Sequence, residues 1–237
     1  MSRRIAPALC AVLLVAECVA GCGGHDEPAA VISESPGHPP ATGAYPSLAV
    51  SLATGSPVEL AGWEVTVYYT AVETLHTDKK TAVTGCPTID CDKNRNQRPL
   101  GDFPASFVKA VKDEGTGKTA DGRYLNWSYD TGYWMDTAPR DTAGRPLQPW
   151  NSAAADSGVL KAGSRFTIMR CGTAGVTAEV CARLKAPTWT IVDEFTPGLG
   201  GSKHVDVYVG EETEPGFTDS DLYTTLEGAT LSAIRAE

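Results

Sequence analysis

The sequence lacks the motifs that mark several common enzyme classes. It contains no Gly-x-Ser-x-Gly nucleophile elbow, no phosphate-binding P-loop and no His-Glu-x-x-His metal motif. Histidines are also few, because only His76 and His204 occur outside residues 23–47. These absences argue against a catalytic triad, a nucleotide-binding loop and a histidine-ligated metal, so we expect no cofactor and no metal ion.

Runs of basic residues are missing too, and the formal net charge of the 237 residues is −9 at pH 7. Surfaces that bind nucleic acid are strongly positive, so the charge argues against a nucleic-acid partner. No internal repeat of useful period is present. About 190 residues follow residue 47, a length that suits one domain with a sizeable core, and we expect a monomer.

Residues 1–21 predict an export signal. Arg3 and Arg4 precede an apolar stretch from Ala6 to Ala20, and Val-Ala-Gly-Cys ending at Cys22 matches a lipobox. The apolar stretch is too short to span a bilayer. Cleavage before Cys22 would leave a cysteine for lipid attachment. We therefore expect an exported, membrane-anchored lipoprotein at the cell envelope; the alternative is a secreted protein whose signal is cut elsewhere.

Residues 22–47 are rich in Gly, Pro, Ala and Ser and show no apolar period, which predicts a flexible stalk before a domain at 48–237. Four cysteines lie in that domain: Cys86, Cys91, Cys171 and Cys181. An even count in an exported protein favours two disulfides, and sequence proximity pairs each cysteine with its nearer neighbour. The alternative is a zinc site, although the spacings lack the short pairs of zinc ribbons.

Short strand-like runs separated by Gly and Pro dominate the domain. They are residues 48–53, 63–72, 124–128, 165–170, 188–193, 204–209 and 229–234. One helix is predicted from Pro104 to Glu114, with a proline suited to the first turn and Gly115 as its end. These elements predict a mainly β barrel with one or two short helices.

The most informative segment is residues 189–210, where two apolar runs flank a glycine-rich turn at 197–201. Each run carries an aspartate, Asp193 or Asp206, where a strand interior favours an apolar residue. In the second run, valines at 205, 207 and 209 alternate with His204, Asp206 and Tyr208. Asp206 is therefore on the polar face of its strand. The pattern fits an acid site built by one strand pair; the alternative is an ordinary surface aspartate.

This segment resembles the closing part of the barrel in the membrane-bound lytic transglycosylase A family and in the three-aspartate (3D) domain, of the RlpA-like superfamily. Their pattern is an Asp, a Gly-Gly turn and then Asp-hydrophobic-aromatic. It is matched by Asp193, by Gly200-Gly201 and by Asp206-Val207-Tyr208, while Asp156 matches the first aspartate of the 3D pattern. The resemblance covers roughly residues 150–227. It implies a six-stranded double-psi β-barrel, here with an aromatic-rich insertion at about 73–150.

The resemblance also implies an activity, that of a peptidoglycan lytic transglycosylase with Asp206 as general acid and base. Asp193 would lie nearby and raise the pKa of its neighbour through like charge and burial. Alternatively, Asp193 accepts backbone N–H bonds from Phe195 or Thr196 in the turn. Asp156 is expected to bind substrate or to be an ordinary turn residue.

A second signal is the density of aromatic residues between 124 and 150. Aromatic faces commonly line glycan grooves, so we expect Tyr129, Tyr133 and Trp134 to contact substrate. Core packing is the alternative for these rings. Asp136 and Lys203 are further candidates for substrate contact, and Asp136 is also a candidate second carboxylate facing Asp206.

The leading hypothesis is therefore a cell-wall enzyme that binds peptidoglycan or another polysaccharide and cleaves it without water. One alternative is a β-1,4-glucan hydrolase of the barrel endoglucanase type. The other is a non-catalytic, expansin-like wall-binding module. Fold does not decide between these classes, but the placement of carboxylates around Asp206 does.

Overall fold

The computed structural model describes residues 55–172 and 175–236. The predicted signal peptide, the stalk with Cys22 and the predicted strand at 48–53 lie outside these residues. None of the helices in the described ranges is both long enough and apolar enough to cross a membrane.

The described residues form eleven strands and two α-helices. The strands are β1 (Val58–Val72), β2 (Lys80–Gly85), β3 (Arg98–Pro104), β4 (Thr116–Lys118), β5 (Tyr124–Ser128), β6 (Gly132–Asp136), β7 (Ser152–Ala154), β8 (Arg165–Arg170), β9 (Trp189–Asp193), β10 (His204–Glu211) and β11 (Leu226–Ile234). The helices are α1 (Ala105–Glu114) and α2 (Ala178–Lys185), and two single 3-10 turns lie at Glu73–Leu75 and Phe217–Asp219.

Six of the strands close a mixed barrel. β1 pairs in parallel with β10 and antiparallel with β11, and the ring continues from β10 through β7, β9 and β8 to β11. Closure leaves no free edge within the ring. The predicted mainly β, six-stranded barrel with one or two short helices is confirmed, with two helices among the described residues.

The polypeptide between β1 and β7 builds a layer beside the barrel. The end of β1 pairs with β4, and β5 and β6 extend this sheet, while β2 and β3 form a separate hairpin. Helix α1 packs Phe107 and Val111 into the core, where both are fully buried. Pro104 is its N-cap residue and Gly115, at φ 88°, ends it in the left-handed conformation.

The barrel core is built by alternation along the strands. Val65 and Val67 of β1 and Val205 and Val207 of β10 are buried together with residues of the neighbouring strands. The residues between these valines point to the opposite face. This alternation sets the polar side chains of β1 and β10 side by side outside the valine core.

Both predicted disulfides are present. Cys86 is bonded to Cys91, and Cys171 is bonded to Cys181. Cys171 directly follows β8 and Cys181 lies within α2, so the second bridge ties this helix to a barrel strand.

Removing the second bridge by Cys171→Ala with Cys181→Ala should lower the free energy of unfolding by about 2–4 kcal/mol, because the unfolded chain loses a cross-link. Thermal unfolding in non-reducing buffer measures the change. The Cys86→Ala, Cys91→Ala pair is the matched control and should have a smaller effect, since it closes a loop of 5 rather than 10 residues. Unchanged unfolding of the first variant would contradict this role.

Candidate active site

Two of the predicted aspartates lie in one row across four barrel strands. Thr66 of β1 pairs with Asp206 of β10, Asp206 pairs with Ala154 of β7, and Ala154 pairs with Asp193 of β9. Paired residues project from the same face of a sheet. Asp206 and Asp193 therefore stand on the polar face two strand spacings apart, about 10 Å. Ala154, which is buried, lies between them in the row.

Asp206 has the environment of a proton donor. Its Oδ1 atom is buried and has no hydrogen-bond partner among the described residues. Burial raises the pKa of Asp206 to about 7, and the nearby charge of Asp193 acts in the same direction. The Thr66 hydroxyl and the Val207 N–H favour the charged form and oppose this shift in the pKa. A substantial fraction of Asp206 therefore carries a proton at neutral pH.

Asp193, unlike Asp206, is fixed by hydrogen bonds to its carboxylate. Its Oδ1 atom accepts hydrogen bonds from Thr142 N (2.9 Å), Thr142 Oγ1 (3.0 Å) and Glu194 N (2.9 Å). Burial raises its pKa to about 6, the charge of Asp141 adds to this, and the hydrogen bonds oppose it. Asp193 thus accepts hydrogen bonds from the N–H groups of Thr142 and Glu194, whereas the alternative considered above was a bond from Phe195 or Thr196.

A tight loop at residues 139–147, here called the covering loop, carries Thr142. Asp141 is almost completely buried at its centre and accepts bonds from Ala143 N (3.0 Å), Arg145 N (2.7 Å) and Arg145 Nε (2.7 Å). Arg145 also donates to the carbonyl of Val192. At the end of the loop, Leu147 packs with two tyrosines, Tyr68 and Tyr208, beside the aspartate row.

The sequence-based prediction missed this loop as a functional element. Its only local signal is the turn-forming run Asp-Thr-Ala-Gly-Arg-Pro at 141–146. It also missed Thr66, the register partner of Asp206, and Tyr68, which lies two residues further along β1, because no local pattern reports strand pairing. The hydroxyl of Tyr68 is buried without a hydrogen-bond partner among the described residues, and burial together with the charges of Asp193 and Asp206 raises its pKa well above its usual range.

The third aspartate, Asp156, follows β7 and lies against the glycine-rich turn. A Cβ atom added at Gly200 would lie 2.1 Å from Asp156 Oδ1. Because real Cβ atoms do not approach so closely, a side chain at position 200 would displace this carboxylate from its present position. The carboxylate of Asp156 thus packs closely against the backbone of the glycine-rich turn.

The remaining predicted contact residues are scattered. Trp134 is fully buried, and the Tyr133 hydroxyl donates to the carbonyl of Val108 (3.0 Å), so both rings belong to the packed layer beside the barrel. Tyr129 is 57% exposed. The exposed Lys203 donates to the carbonyl of Ala61 (3.2 Å).

Asp136 does not act as a free second carboxylate. It forms a largely buried ion pair with Arg140, Oδ1 to Nη2, of 2.8 Å. The same oxygen accepts the N–H of Thr137 at 2.6 Å. Its charge is therefore neutralised within its own turn.

A polar cavity of about 450 Å³ opens at one end of β10. Its lining includes backbone of Gly62, Gly201 and Gly228 and the side chains of Glu64, Lys203 and His204. His204 stands two residues before Asp206 on the same face of the strand, so the cavity adjoins the aspartate row.

Comparison with known proteins gives a likeness of fold. No protein-family model matches the sequence, and no curated protein matches it. The structure is similar to that of E. coli MltA with bound chitohexaose, with a TM-score of 0.52 and 12% identity, covering 76% of this chain and 76% of that chain. It is also similar to a membrane-bound lytic murein transglycosylase from Agrobacterium tumefaciens, with a TM-score of 0.50 and 11% identity, covering 76% and 77%.

These similarities support the fold of MltA-type lytic transglycosylases, which the resemblance in residues 150–227 implied. The identities are too low to carry residue roles from one protein to another. Membership of the three-aspartate domain family stays a prediction.

Asp193→Asn should lower the pKa of Asp206 from about 7, because a carboxylate that disfavours the charged form of its neighbour is removed. Asparagine keeps an oxygen to accept the bonds of Thr142 and Glu194. Carboxyl ¹³C NMR across the pH range reports the midpoint of Asp206. Glu194→Gln, an exposed neighbouring change, should leave that midpoint in place. A midpoint that stays the same or rises in Asp193→Asn would refute electrostatic coupling of the two aspartates.

Proposed function

We propose that this protein cleaves peptidoglycan strands as a lytic transglycosylase, with Asp206 as the single general acid and base. The observation that carries the proposal is the contrast between the two aspartates of the row. Asp193 is bonded to the covering loop, whereas Asp206 has a buried oxygen without a partner and a pKa of about 7. A general acid needs a pKa near the working pH.

The reaction that fits one carboxyl group runs in two proton transfers. Asp206 gives its proton to the glycosidic oxygen as the bond from that oxygen to C1 breaks. The 6-hydroxyl oxygen of the same sugar then bonds to C1, and its proton passes to the Asp206 carboxylate. The products are a strand with a free hydroxyl at the leaving oxygen and a strand ending in a 1,6-anhydro ring, and Asp206 is protonated again.

In this scheme Asp193 supports Asp206 without exchanging protons. Its charge helps to keep the acid protonated, and its three accepted hydrogen bonds hold the covering loop beside the site. Asp156, fitted against Gly200, and the exposed Tyr129 and Lys203 are proposed to contact the glycan.

Two observations support a glycan as substrate. The fold is that of MltA-type enzymes, and the E. coli protein of this fold has been solved with chitohexaose. In addition, the cavity beside His204 is lined largely by glycine backbone and charged side chains, and polar groups of this kind suit the hydroxyl groups of a sugar.

Hydrolysis of a β-1,4-glucan by an inverting mechanism needs a second carboxylate at about 6.5–9.5 Å to activate water. Asp136 is paired with Arg140 and Asp193 is bonded to the covering loop, so neither is free for this task. A wall-binding module would not require a buried proton donor at all. The arrangement therefore favours the single-acid reaction over both alternatives.

Asp206→Asn should reduce the release of soluble fragments from purified sacculi by about 10²–10⁴-fold, because asparagine cannot supply the proton. The control is Asp102→Asn, an exposed change on β3, which should cleave at the normal rate. Wild-type fragment release by Asp206→Asn would remove Asp206 from the mechanism.

The same variant carries a prediction for stability. Because folding raises the pKa of Asp206, this residue keeps its proton in the folded protein at pH values above about 4, where it loses the proton in the unfolded chain. The contribution of Asp206 to stability is therefore present at low pH and is lost as pH rises towards about 7. Asp206→Asn should accordingly unfold at the wild-type temperature or above it at pH 8, so its loss of activity cannot be assigned to unfolding.

We also propose that a lipid at Cys22 anchors the protein at the cell envelope. The lipobox ending at Cys22 supports this, although the residue lies outside the described ranges. Cys22→Ser should move the protein from the membrane to the soluble fraction with its unfolding temperature unchanged, as measured by fractionation and calorimetry. Retention of this variant in the membrane fraction would refute the anchor.

A further inference from the structure

His204 and Thr66 form a polar connection that ends at Asp206. The Nε2 atom of His204 lies 2.8 Å from Thr66 Oγ1. Thr66 is the register partner of Asp206 on the neighbouring strand, so its hydroxyl lies on the same face as the Asp206 carboxyl group. The three side chains thus follow one another on the polar face of β1 and β10.

Thr66 has a single hydroxyl proton and two neighbours that compete for it. An ionised Asp206 only accepts hydrogen bonds, and a neutral imidazole has one donor nitrogen and one acceptor nitrogen. When Nε2 of His204 carries the hydrogen, it donates to Thr66, and the Thr66 proton must then point to Asp206. When Nε2 is bare, the Thr66 proton can turn to His204 and leave Asp206.

The surroundings of His204 favour hydrogen on Nε2. Glu64 Oε1 lies 3.8 Å from this nitrogen. The ring of Phe195 stacks on the imidazole with centroids 4.5 Å apart and planes inclined by 30°. A nearby carboxylate attracts an N–H, and the stacked ring limits rotation of the imidazole. Lys203, the adjacent cation, directs its ammonium group to the Ala61 carbonyl.

We propose that His204 and Thr66 are positioning residues for the reaction proposed above, acting as a hydrogen-bonded chain that turns the Thr66 hydroxyl towards Asp206 and stabilises the carboxylate formed when Asp206 gives up its proton. The proposal rests on Asp206 being the general acid. The chain favours the ionised form of Asp206, whereas burial and the charge of Asp193 favour the protonated form.

Other groups near Asp206 do not replace this chain. Asp193 and the buried Tyr68 hydroxyl approach from the same face, and neither makes a hydrogen bond to Asp206 Oδ1. The charge of Asp206 also acts on Glu114 and Tyr223, but these two residues are hydrogen-bonded to each other at 2.9 Å. Among these side chains, Thr66 is the one that is in register with Asp206 on the neighbouring strand and is also hydrogen-bonded to His204.

Thr66→Val tests the chain because valine has nearly the shape of threonine and no hydroxyl. The midpoint of Asp206 should rise by about one pH unit, since a hydrogen bond to the charged form is lost. The alkaline limb of the rate of fragment release should move upward by the same amount. Thr66→Ser, which keeps the hydroxyl, is the matched control and should retain the wild-type midpoint.

The readout is carboxyl ¹³C NMR, with the Asp206 signal identified by its absence in Asp206→Asn. In the wild-type protein, ¹⁵N shifts of the His204 ring should also change at the midpoint of Asp206, and Thr66→Val should abolish this response. These spectra do not depend on glycan cleavage. A shifted midpoint in a protein that cleaves nothing would support the chain and refute the proposed function.

Two results would overturn the chain. One is a Thr66→Val protein that titrates like the wild type, and the other is a wild-type His204 ring that does not respond when Asp206 titrates. If Thr66→Val fails to fold, His204→Phe provides the second test, because it keeps an aromatic ring on Phe195 and removes the Nε2–H. Its Asp206 midpoint should rise by less than in Thr66→Val, and an unchanged midpoint would count against the chain.

Discussion

The site depends on the way β10 pairs with a barrel strand on each side. This pairing aligns Thr66, Asp206, Ala154 and Asp193 in one row, because the opposite face of the same strands is committed to the valine core. A shift of register by one residue would move the polar side chains into the core. The closed barrel therefore fixes both the position of the acid and its burial, and burial is the main cause of its raised pKa.

The covering loop and the glycine-rich turn complete the site from outside the row. Each reaches an aspartate through backbone groups: Thr142 donates to Asp193, and the turn at Gly200 fits against Asp156. The hydrogen bonds to the covering loop give Asp193 a structural task, and Asp206 is left as the carboxylate of the row suited to exchange protons. Thr66 and His204 would then adjust how readily it does so.

Much of this arrangement was predictable where the signal is local. Alternation along the strand predicted the face on which Asp206 lies, and the proximity of the cysteines in sequence predicted the two disulfides. Pro104 and Gly115 predicted the two ends of α1. The three-residue strand β7 was missed because Ser-Ala-Ala has no alternation to detect, and its membership of the barrel comes from its two neighbours. Trp134 was expected to contact substrate, with core packing as the alternative, and it is fully buried because its strand is covered by the layer that β2 and β3 help to form. Asp136 was a candidate second carboxylate, but its ion pair with Arg140 joins two residues four apart that no sequence pattern linked.

In the proposed mechanism, one aspartate cleaves the glycan strand without water. Mass spectrometry of the fragments released from purified sacculi by the wild-type protein tests it most directly, since the two reactions differ by one water molecule in the product. We expect fragments that end in 1,6-anhydro sugars. Fragments with ordinary reducing ends would show hydrolysis and would contradict the single-acid mechanism, and binding to sacculi with no release of fragments would contradict catalysis altogether.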